Sequence, residues 1–418
     1  MAINVIKKRI ISLTNVVLLY LFGFSIALYP PFAQYARPIL AICFIAILLV
    51  VIFDMLFLNK TIPRSILFKI AIALGLVFII WLLVAVLKKN NLAYALQDSI
   101  GFAIYLIVMP VLFIFIKLKN LSLILFDLLI NLSIIIASVS FGLVVGYYSF
   151  FGSVEPESLI AINAYIKSQG LNWVIDNNNG FLGLYTYTAH FLLLGVGLTL
   201  YKYYIFKNPN YLYLIVLFCF GVIADGHRAL VVSMILLIIL LIPIIMRMFE
   251  IKKLTILAFV AASTLLLMLV INFEWVKERY NFTLSDDSTH ERFIQIPSLL
   301  DKIMESPVWG SGFGAYTSVI RNQERPFLYE VDFLATVVKL GLVGSLLYFG
   351  SYLYLLDKAR RSGRVFGYIL FCVGLSFLFY MGTNGGLAMS PDSSIFHMFL
   401  FILISLSLSK NTFDKNYN

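Results

Sequence analysis

Two arginines in this sequence lie where a guanidinium group could meet an anionic ligand. Arg228 opens a long apolar run directly after the short polar segment Asp225–His227, and Arg292 lies in a polar stretch between two apolar runs. A guanidinium group binds phosphate oxygens through two N–H donors and stays charged at physiological pH. Both positions predict a phosphate site, although a loop arginine can also be an ordinary solvated group.

Further side chains could support the same ligand. Arg321 and Arg325 precede a later apolar run, and His227 is next to Arg228. We interpret His227 as a hydrogen-bonding neighbour, because no second histidine stands at the spacing of a metal site. His190, which lies inside another apolar run, is expected to make an interhelical hydrogen bond.

Acidic residues mark the start of the apolar run over 331–356. Glu330 stands where water gives way to the bilayer, and a carboxylate there can accept a proton as a general base. Its alternative role is a helix N-terminal carboxylate that complements the helix dipole. Asp332 is a candidate for binding the same substrate. Lys339, seven residues further along, is expected to form a structural ion pair with Asp332.

Two other motifs carry less information. Gly310, Gly312 and Gly314 form G-x-G-x-G, but no Lys-Ser/Thr follows and no strand precedes them, so they predict a tight turn rather than a nucleotide site. Asp286 and Asp287 could bind a divalent cation, yet such a pair more often only solvates a loop. We therefore predict no metal site and no cofactor.

The elements that must position these side chains are membrane-spanning helices. Of the 418 residues, 61% are hydrophobic and 12% are charged, and the mean hydropathy is +0.96. An average soluble protein has about 45–50% apolar and about 25% charged residues. The composition excludes a nucleic-acid-binding protein, a disordered chain and a disulfide scaffold. We predict an all-α, polytopic integral membrane protein with a single transmembrane domain over residues 1–418.

Apolar runs of about 17 to 25 residues predict about twelve spans, with eleven and thirteen as alternatives. They lie near 11–29, 38–58, 68–87, 99–116, 121–147, 182–201, 211–224, 229–246, 254–272, 331–356, 365–382 and 393–409. Most of the 31 basic residues fall in segments that share a side with the N-terminus. Because positive charge in short loops marks the cytoplasmic side, both termini are expected to be cytoplasmic.

Two segments on the opposite, outer side are longer than a simple connection needs, at 149–181 and at 273–330. Within the second, the apolar residues over 291–305 recur at the spacing of an amphipathic helix that lies on the membrane surface. One long outer loop between the ninth and tenth spans therefore carries Arg292 and ends at Glu330.

In their order along the chain, these features resemble the O-antigen ligases and O-antigen polymerases, a family of integral membrane glycosyltransferases. The resemblance covers the second half of the chain best. It rests on Arg228 after a short outer tip, Arg292 in a long outer loop, the P-x-x-G-x-G-x-G of 307–314, and a polar residue ahead of 333–334 and 339–344.

The resemblance implies transfer of a glycan from an undecaprenyl-pyrophosphate donor at the periplasmic face of the inner membrane, without a metal or a nucleotide sugar. Arg228 and Arg292 would hold the donor pyrophosphate and stabilise the charge that develops on it. Arg321 and Arg325 would steer the second pyrophosphate or the glycan. Glu330 would take the proton from the acceptor hydroxyl. The implied partners are the lipid-linked oligosaccharide, the lipid bilayer and a chain-length regulator protein, with no nucleic acid.

One departure from the family pattern bears on the reaction. Ligases carry a histidine followed by an asparagine where this chain has Glu330 and Val331. We therefore expect a polymerase, whose acceptor is a sugar hydroxyl on another lipid-linked repeat unit, with a ligase acting on lipid A-core as the alternative. A flippase for the same lipid is an alternative of another class, because many spans with buried charges also suit a transporter. The sequence shows no related halves or paired broken helices, which argues against the flippase.

Overall fold

The fold was analysed in a computed structural model, which describes residues 2–27, 33–58, 60–61, 65–151, 163–164, 174–178, 181–185, 188–249, 287–320, 323, 325–383 and 391–408. The predicted ninth span at 254–272, Arg321 and Asp286 lie outside these residues. The same holds for parts of both long outer segments.

The described residues form a helical bundle with one small hairpin. The helices are α1 (Ala2–Ala27), α2 (Ala33–Phe57), α3 (Ile66–Leu87), α4 (Leu92–Ala103), α5 (Met109–Leu118), α6 (Ser122–Phe151), α7 (Phe191–Phe206), α8 (Asn210–Asp225), α9 (Arg228–Phe249), α10 (Asp287–Glu305), α11 (Asp332–Arg361), α12 (Val365–Thr383) and α13 (Pro391–Leu408). A π-helical turn, Ile104–Val108, joins α4 to α5 within one span. Strands β1 (Val174–Asn178) and β2 (Phe181–Tyr185) pair antiparallel.

These helices confirm the polytopic membrane fold. Among the described residues, 7 helices are long and apolar enough to cross a membrane, and shorter apolar helices lie at Ser12–Ser25, Phe191–Phe206, Asn210–Asp225 and Ser394–Leu408. Large apolar side chains such as Leu83 and Leu346 point outward, with 58% and 64% of their surface exposed. Outward apolar faces of this kind are stable in lipid and not in water.

The predicted sixth span, 182–201, is wrong at its start. Residues Phe181–Tyr185 form β2, whose backbone groups pair with β1, and the helix begins only at Phe191. A short apolar run does not by itself distinguish a strand from a helix. His190 consequently precedes α7, where its ring packs against Phe377 and Phe396.

Packing of α9 against α12 shows which loops share an end of the bundle. The carbonyl of Leu240 in α9 accepts from the Tyr368 hydroxyl at 3.4 Å and the Cys372 thiol at 3.5 Å, and both donors lie in the first half of α12. At the other end of α12, Gly382 lies against Phe333 at the start of α11. The ring of His190, directly before α7, contacts Tyr380, and Tyr201 in α7 stacks on Phe366, so α7 runs antiparallel to α12. Helix α8 runs antiparallel to α7, with Gly221 against Leu192, and a two-residue link joins it to α9. The start of α9 and the start of α11 therefore both lie near the end of α12. We call this the Glu330 end.

Helix α11 is broken at Gly341. This glycine has φ 60° and ψ −172°, a conformation that only glycine adopts readily. The rings of Phe333 and Phe349, 16 positions apart, have centroids 5.3 Å apart. In a straight helix they would be about 24 Å apart along the axis. The arm over 332–340 therefore folds back against the arm over 342–361, and the predicted uninterrupted span 331–356 is wrong in this respect.

The turn at 307–314 satisfies the backbone groups that this break exposes. Ser311 N donates to Val338 O at 2.7 Å, and Gly312 N donates to Lys339 O at 2.9 Å, which caps the first arm. Leu342 N donates to Pro307 O at 2.9 Å at the start of the second arm. An interrupted helix is tolerated at membrane depth only when such groups find protein partners.

Basic residues gather at the end opposite Glu330. Buried Asp54 there pairs with Lys60 at 3.0 Å and Lys119 at 2.9 Å. The last turn of α11 carries Lys358, Arg360 and Arg361. In the predicted topology, that end faces the cytoplasm.

Cysteine labelling tests the orientation. In a background with Cys43, Cys219 and Cys372 replaced by serine, we expect Ser318→Cys, exposed at the Glu330 end, to react with a membrane-impermeant maleimide in intact cells. Asn208→Cys, exposed at the opposite end, should react only after permeabilisation. Labelling in the reverse order would invert the topology.

Replacing Gly341 with alanine should destabilise the protein. The new Cβ would lie 2.4 Å from Val308 O, in a conformation whose strain costs about 1–3 kcal/mol. Gly350→Ala is the matched control, because nothing lies within 4 Å of its added Cβ and alanine favours a helix by up to about 1 kcal/mol. Thermal unfolding of the two variants measures the difference. Equal unfolding temperatures would contradict the conformation at Gly341.

Candidate active site

Helix α10 confirms the predicted amphipathic helix and begins four residues before the predicted start at 291. Phe293, Leu300 and Met304 are 56%, 46% and 77% exposed, whereas Gln295 and Leu299 on the other face are buried. Pro297 lies inside the helix without ending it. The apolar stripe therefore faces away from the protein, and the face that carries Arg292 and Gln295 packs on the start of α11.

That packed face brings Arg292 and Glu330 together. Arg292 Nε lies 2.8 Å from Glu330 Oε2, and 7% of the Glu330 side chain is exposed against 33% of the Arg292 side chain. Gln295 Oε1 accepts from Glu330 N at 2.9 Å, which holds the backbone on which the carboxylate sits. A charged pair at the edge of a buried region is available to an anionic ligand from its more exposed, cationic side.

A buried apolar cluster and one tyrosine hold the segments that carry Arg292 and Glu330. Leu299, Tyr329, Ala335 and Val338 form a buried cluster between α10 and α11. Tyr329 OH accepts from Thr317 N at 2.6 Å, so the segment before Glu330 is tied to the turn that follows α10.

The glycines of the turn at 307–314 allow a close approach of three backbones. Gly310, Gly312 and Gly314 have φ of 70°, 81° and 71°, which confirms the predicted tight turn. A Cβ on Gly312 would lie 2.5 Å from the backbone of Ala85 in α3, and one on Gly314 would lie 2.6 Å from the backbone of Ala95 in α4. The motif therefore serves packing against the bundle.

The predicted ion pair between Lys339 and Asp332 is wrong. Lys339 Nζ lies 2.7 Å from Asp98 Oδ1 in α4, and both side chains are at most 4% exposed. Asp98 Oδ2 also accepts from Gly314 N at 2.8 Å. The fold of α11 at Gly341 turns Lys339 toward α4, which a straight helix would not do. Asp98 was missed in the sequence, although a lone carboxylate at the start of a span was a usable signal.

A second polar group lies at the tip between α8 and α9. Gly226 ends α8 in a left-handed conformation with φ 78°, and the carbonyl of His227 accepts from Leu230 N and Val231 N at the start of α9. This two-residue link places the Asp225 carboxylate against His227 Nδ1. Asp225 is fully buried, and 21% of the His227 side chain is exposed.

The predicted site residues thus fall into two groups at one end of the bundle. Arg292 and Glu330 are in contact, whereas His227 and Arg228 lie at the α8–α9 tip. Asp332 is buried in the first turn of α11, and Arg325 is exposed. Among the described residues, no cluster of three or more His, Cys, Asp or Glu side chains could hold a metal ion.

The bundle of apolar helices defines a polytopic membrane protein. The arginine–glutamate ion pair at one end of this bundle is a candidate anion site. Residues 213–349 match the family model described as O-antigen ligase, which confirms the resemblance to the O-antigen ligase and polymerase family. The match runs from α8 into α11 and so includes both polar groups. It supports a glycosyltransferase-type activity of the ligase or polymerase kind. No curated protein matches the chain.

Breaking the buried Asp98–Lys339 pair on one side only should be costly. Lys339→Met leaves a buried carboxylate without its counter-ion, a change that costs about 3–5 kcal/mol. The double variant Asp98→Asn/Lys339→Met should be more stable than Lys339→Met, because no buried charge remains. Thermal unfolding of both variants measures this.

Lys202→Met is the control for that comparison. Its partner Asp127 is 47% exposed, so its loss should cost no more than about 1 kcal/mol. A double variant less stable than Lys339→Met would contradict the pairing.

Proposed function

We propose that this protein is a polymerase of O-antigen or a related surface polysaccharide. It transfers a glycan from undecaprenyl pyrophosphate to a sugar hydroxyl of another lipid-linked repeat unit, at the periplasmic face of the inner membrane. The observation that carries the proposal is the Arg292–Glu330 pair at the end of a bundle whose sequence matches the family. Glu330, where ligases carry a histidine, favours polymerase over ligase.

Arg292 is the donor-binding residue in this proposal. Its contact with Glu330 uses Nε, so the terminal guanidinium nitrogens are the donors that a pyrophosphate would meet. The ion pair with Glu330 holds the guanidinium group at this place. A fixed cation stabilises negative charge on the leaving pyrophosphate without having to reorganise during the reaction. Arg228 is proposed to bind the same pyrophosphate from the α8–α9 tip.

The apolar stripe of α10 suits a substrate that is itself a lipid. Phe293, Leu300 and Met304 continue into Val308 and Trp309 of the adjoining turn, which are 49% and 54% exposed. Such a stripe is stable at a membrane surface. Arg292 would then lie near the level of lipid phosphates, and the donor would reach it within the plane of the membrane.

Other predicted roles are carried forward as parts of this proposal. Arg321, Arg325 and Asp332 would contact the glycan or the second pyrophosphate, and a chain-length regulator protein would be the protein partner. The general-base role of Glu330 stays a prediction. To accept a proton, Glu330 would have to give up its ion pair with Arg292.

Gene deletion with complementation tests the proposal. A strain without this gene should make lipid A-core that bears one repeat unit, and the wild-type gene should restore the glycan ladder. Arg292→Ala and Arg228→Ala should abolish the ladder at normal protein levels. Arg292→Lys should restore little, because lysine lacks the planar fork of donors.

The remaining outcomes separate the alternatives. Core without any repeat unit in the deletion strain would indicate a ligase or a flippase and would overturn the polymerase assignment. A full ladder in both alanine variants would overturn pyrophosphate binding by the arginines. Lys302→Ala, which removes the basic residue of the last turn of α10, is the matched control and should leave the ladder intact, because Lys302 pairs with Glu305 on the same helix.

A further inference from the structure

The tip between α8 and α9 holds a pair of side chains in the arrangement of an oriented general base. We infer that His227, held by Asp225, takes the proton from the acceptor hydroxyl. The inference rests on the proposed function, since it names the proton acceptor of that glycosyl transfer. It goes further by moving this role away from Glu330.

The geometry of the tip carries the inference. The Asp225 carboxylate contacts His227 Nδ1, and none of the Asp225 side chain is exposed. An ionised carboxylate only accepts hydrogen bonds, so Nδ1 carries the proton that it donates to Asp225. The basic lone pair of the imidazole is then on Nε2. A buried carboxylate that fixes this tautomer is the recurrent support of catalytic histidines.

Asp225 is less exposed than His227, as expected for a supporting carboxylate and the base that it orients. Asp225 is enclosed, whereas 21% of His227 remains accessible to a substrate or to water. Local backbone structure holds the ring in place, because Gly226 ends α8 and the His227 carbonyl begins α9. The backbone at His227 is thus fixed, and the contact with Asp225 orients the ring, which is a property of a positioned base.

His227 is also near the level of the donor site. Twelve residues separate Arg228 from Leu240, which contacts Tyr368 and Cys372 of α12. A similar number of residues leads from those two donors to Gly382, which lies against Phe333. The start of α9 and the start of α11 therefore flank the same end of α12. His227 lies directly before α9, and Glu330 lies two residues before the start of α11.

Glu330 and His227 differ in how protonation would affect the contacts that they already make. Glu330 forms an ion pair with Arg292. Protonating the carboxylate would remove the negative charge that orients this arginine. Protonation of His227 on Nε2 leaves the Nδ1 bond in place and strengthens it, because the imidazolium then faces a carboxylate. A division of labour follows, in which Glu330 orients Arg292 and His227 accepts the proton.

The step balances without a further reactant. His227 Nε2 takes the proton of the acceptor hydroxyl as the hydroxyl oxygen forms a bond to the anomeric carbon of the donor. The bond from that carbon to the pyrophosphate oxygen breaks, and its electron pair stays on the pyrophosphate, where Arg228 and Arg292 stabilise it. The imidazolium later releases its proton to water, since 21% of the His227 side chain is exposed.

Initial rates of the purified full-length protein test this inference. Lipid-linked glycan extracted from the deletion strain serves as donor and acceptor, and rates are expressed per molecule of folded protein. We expect His227→Gln to lose about 10²- to 10⁴-fold in kcat, the contribution of general-base catalysis, with KM nearly unchanged. Glu330→Gln should lose less, because it removes the counter-ion of Arg292 and leaves the proton acceptor in place. His290→Gln, an exposed histidine of α10, is the matched control and should keep the wild-type rate.

Asp225 is a positioning residue in this scheme, and the kcat and KM of an Asp225 variant test that role. Asp225→Asn allows the opposite tautomer, so kcat should fall while donor KM stays the same. Added imidazole should restore part of the rate of His227→Ala and leave Arg292→Ala inactive. His227→Asn replaces His227→Gln if the latter fails to accumulate.

The failures of the two proposals are distinguishable. A wild-type protein that elongates no glycan would overturn the proposed function. An active wild type with an equally active His227→Gln would overturn only the role of His227. A larger loss of kcat in Glu330→Gln than in His227→Gln would overturn the role of His227 and indicate Glu330 as the general base.

Discussion

The need to satisfy backbone hydrogen bonds at a helix break inside the membrane region governs the structure at the Glu330 end. Gly341 leaves carbonyl and amide groups of α11 without helical partners, and the turn at 307–314 supplies partners on both sides of the break. An unsatisfied group there would cost several kcal/mol. The turn can approach this closely only because its alternate residues are glycines with positive φ.

This backbone contact closes a ring of elements around the candidate site. Helix α10 leads into the turn, the turn binds the first arm of α11, and that arm begins just after Glu330, which returns to Arg292 of α10. Asp98 fastens the ring to α4 through Lys339 and Gly314. The relative position of Arg292 and Glu330 is therefore set by contacts made away from the substrate, as preorganised electrostatic stabilisation requires.

Three described carboxylates at this end each contact a defined cationic or polar partner. Asp98 contacts Lys339, Glu330 contacts Arg292, and Asp225 contacts His227. The pairs differ in exposure from fully enclosed to partly open. The enclosed Asp98 pair serves the fold, whereas the more exposed partners, Arg292 and His227, are the groups that the proposed lipid-linked pyrophosphate and its acceptor would contact. Burial thus distinguishes structural from proposed catalytic charges of similar type.

The sequence by itself determined the membrane class, most of the spans, the amphipathic helix and the tight turn, because these depend on local composition and spacing. It also singled out the arginines as candidate ligand-binding residues. It did not distinguish β2 from a helix, since both are short apolar runs there. Only the tertiary structure decided that α11 folds back at Gly341 and that Lys339 therefore meets Asp98, 241 positions away. It also decided that Glu330 is ion-paired with Arg292 and that Asp225 contacts His227. Such pairs depend on backbone conformation at single glycines and on packing between distant segments, which no local pattern records.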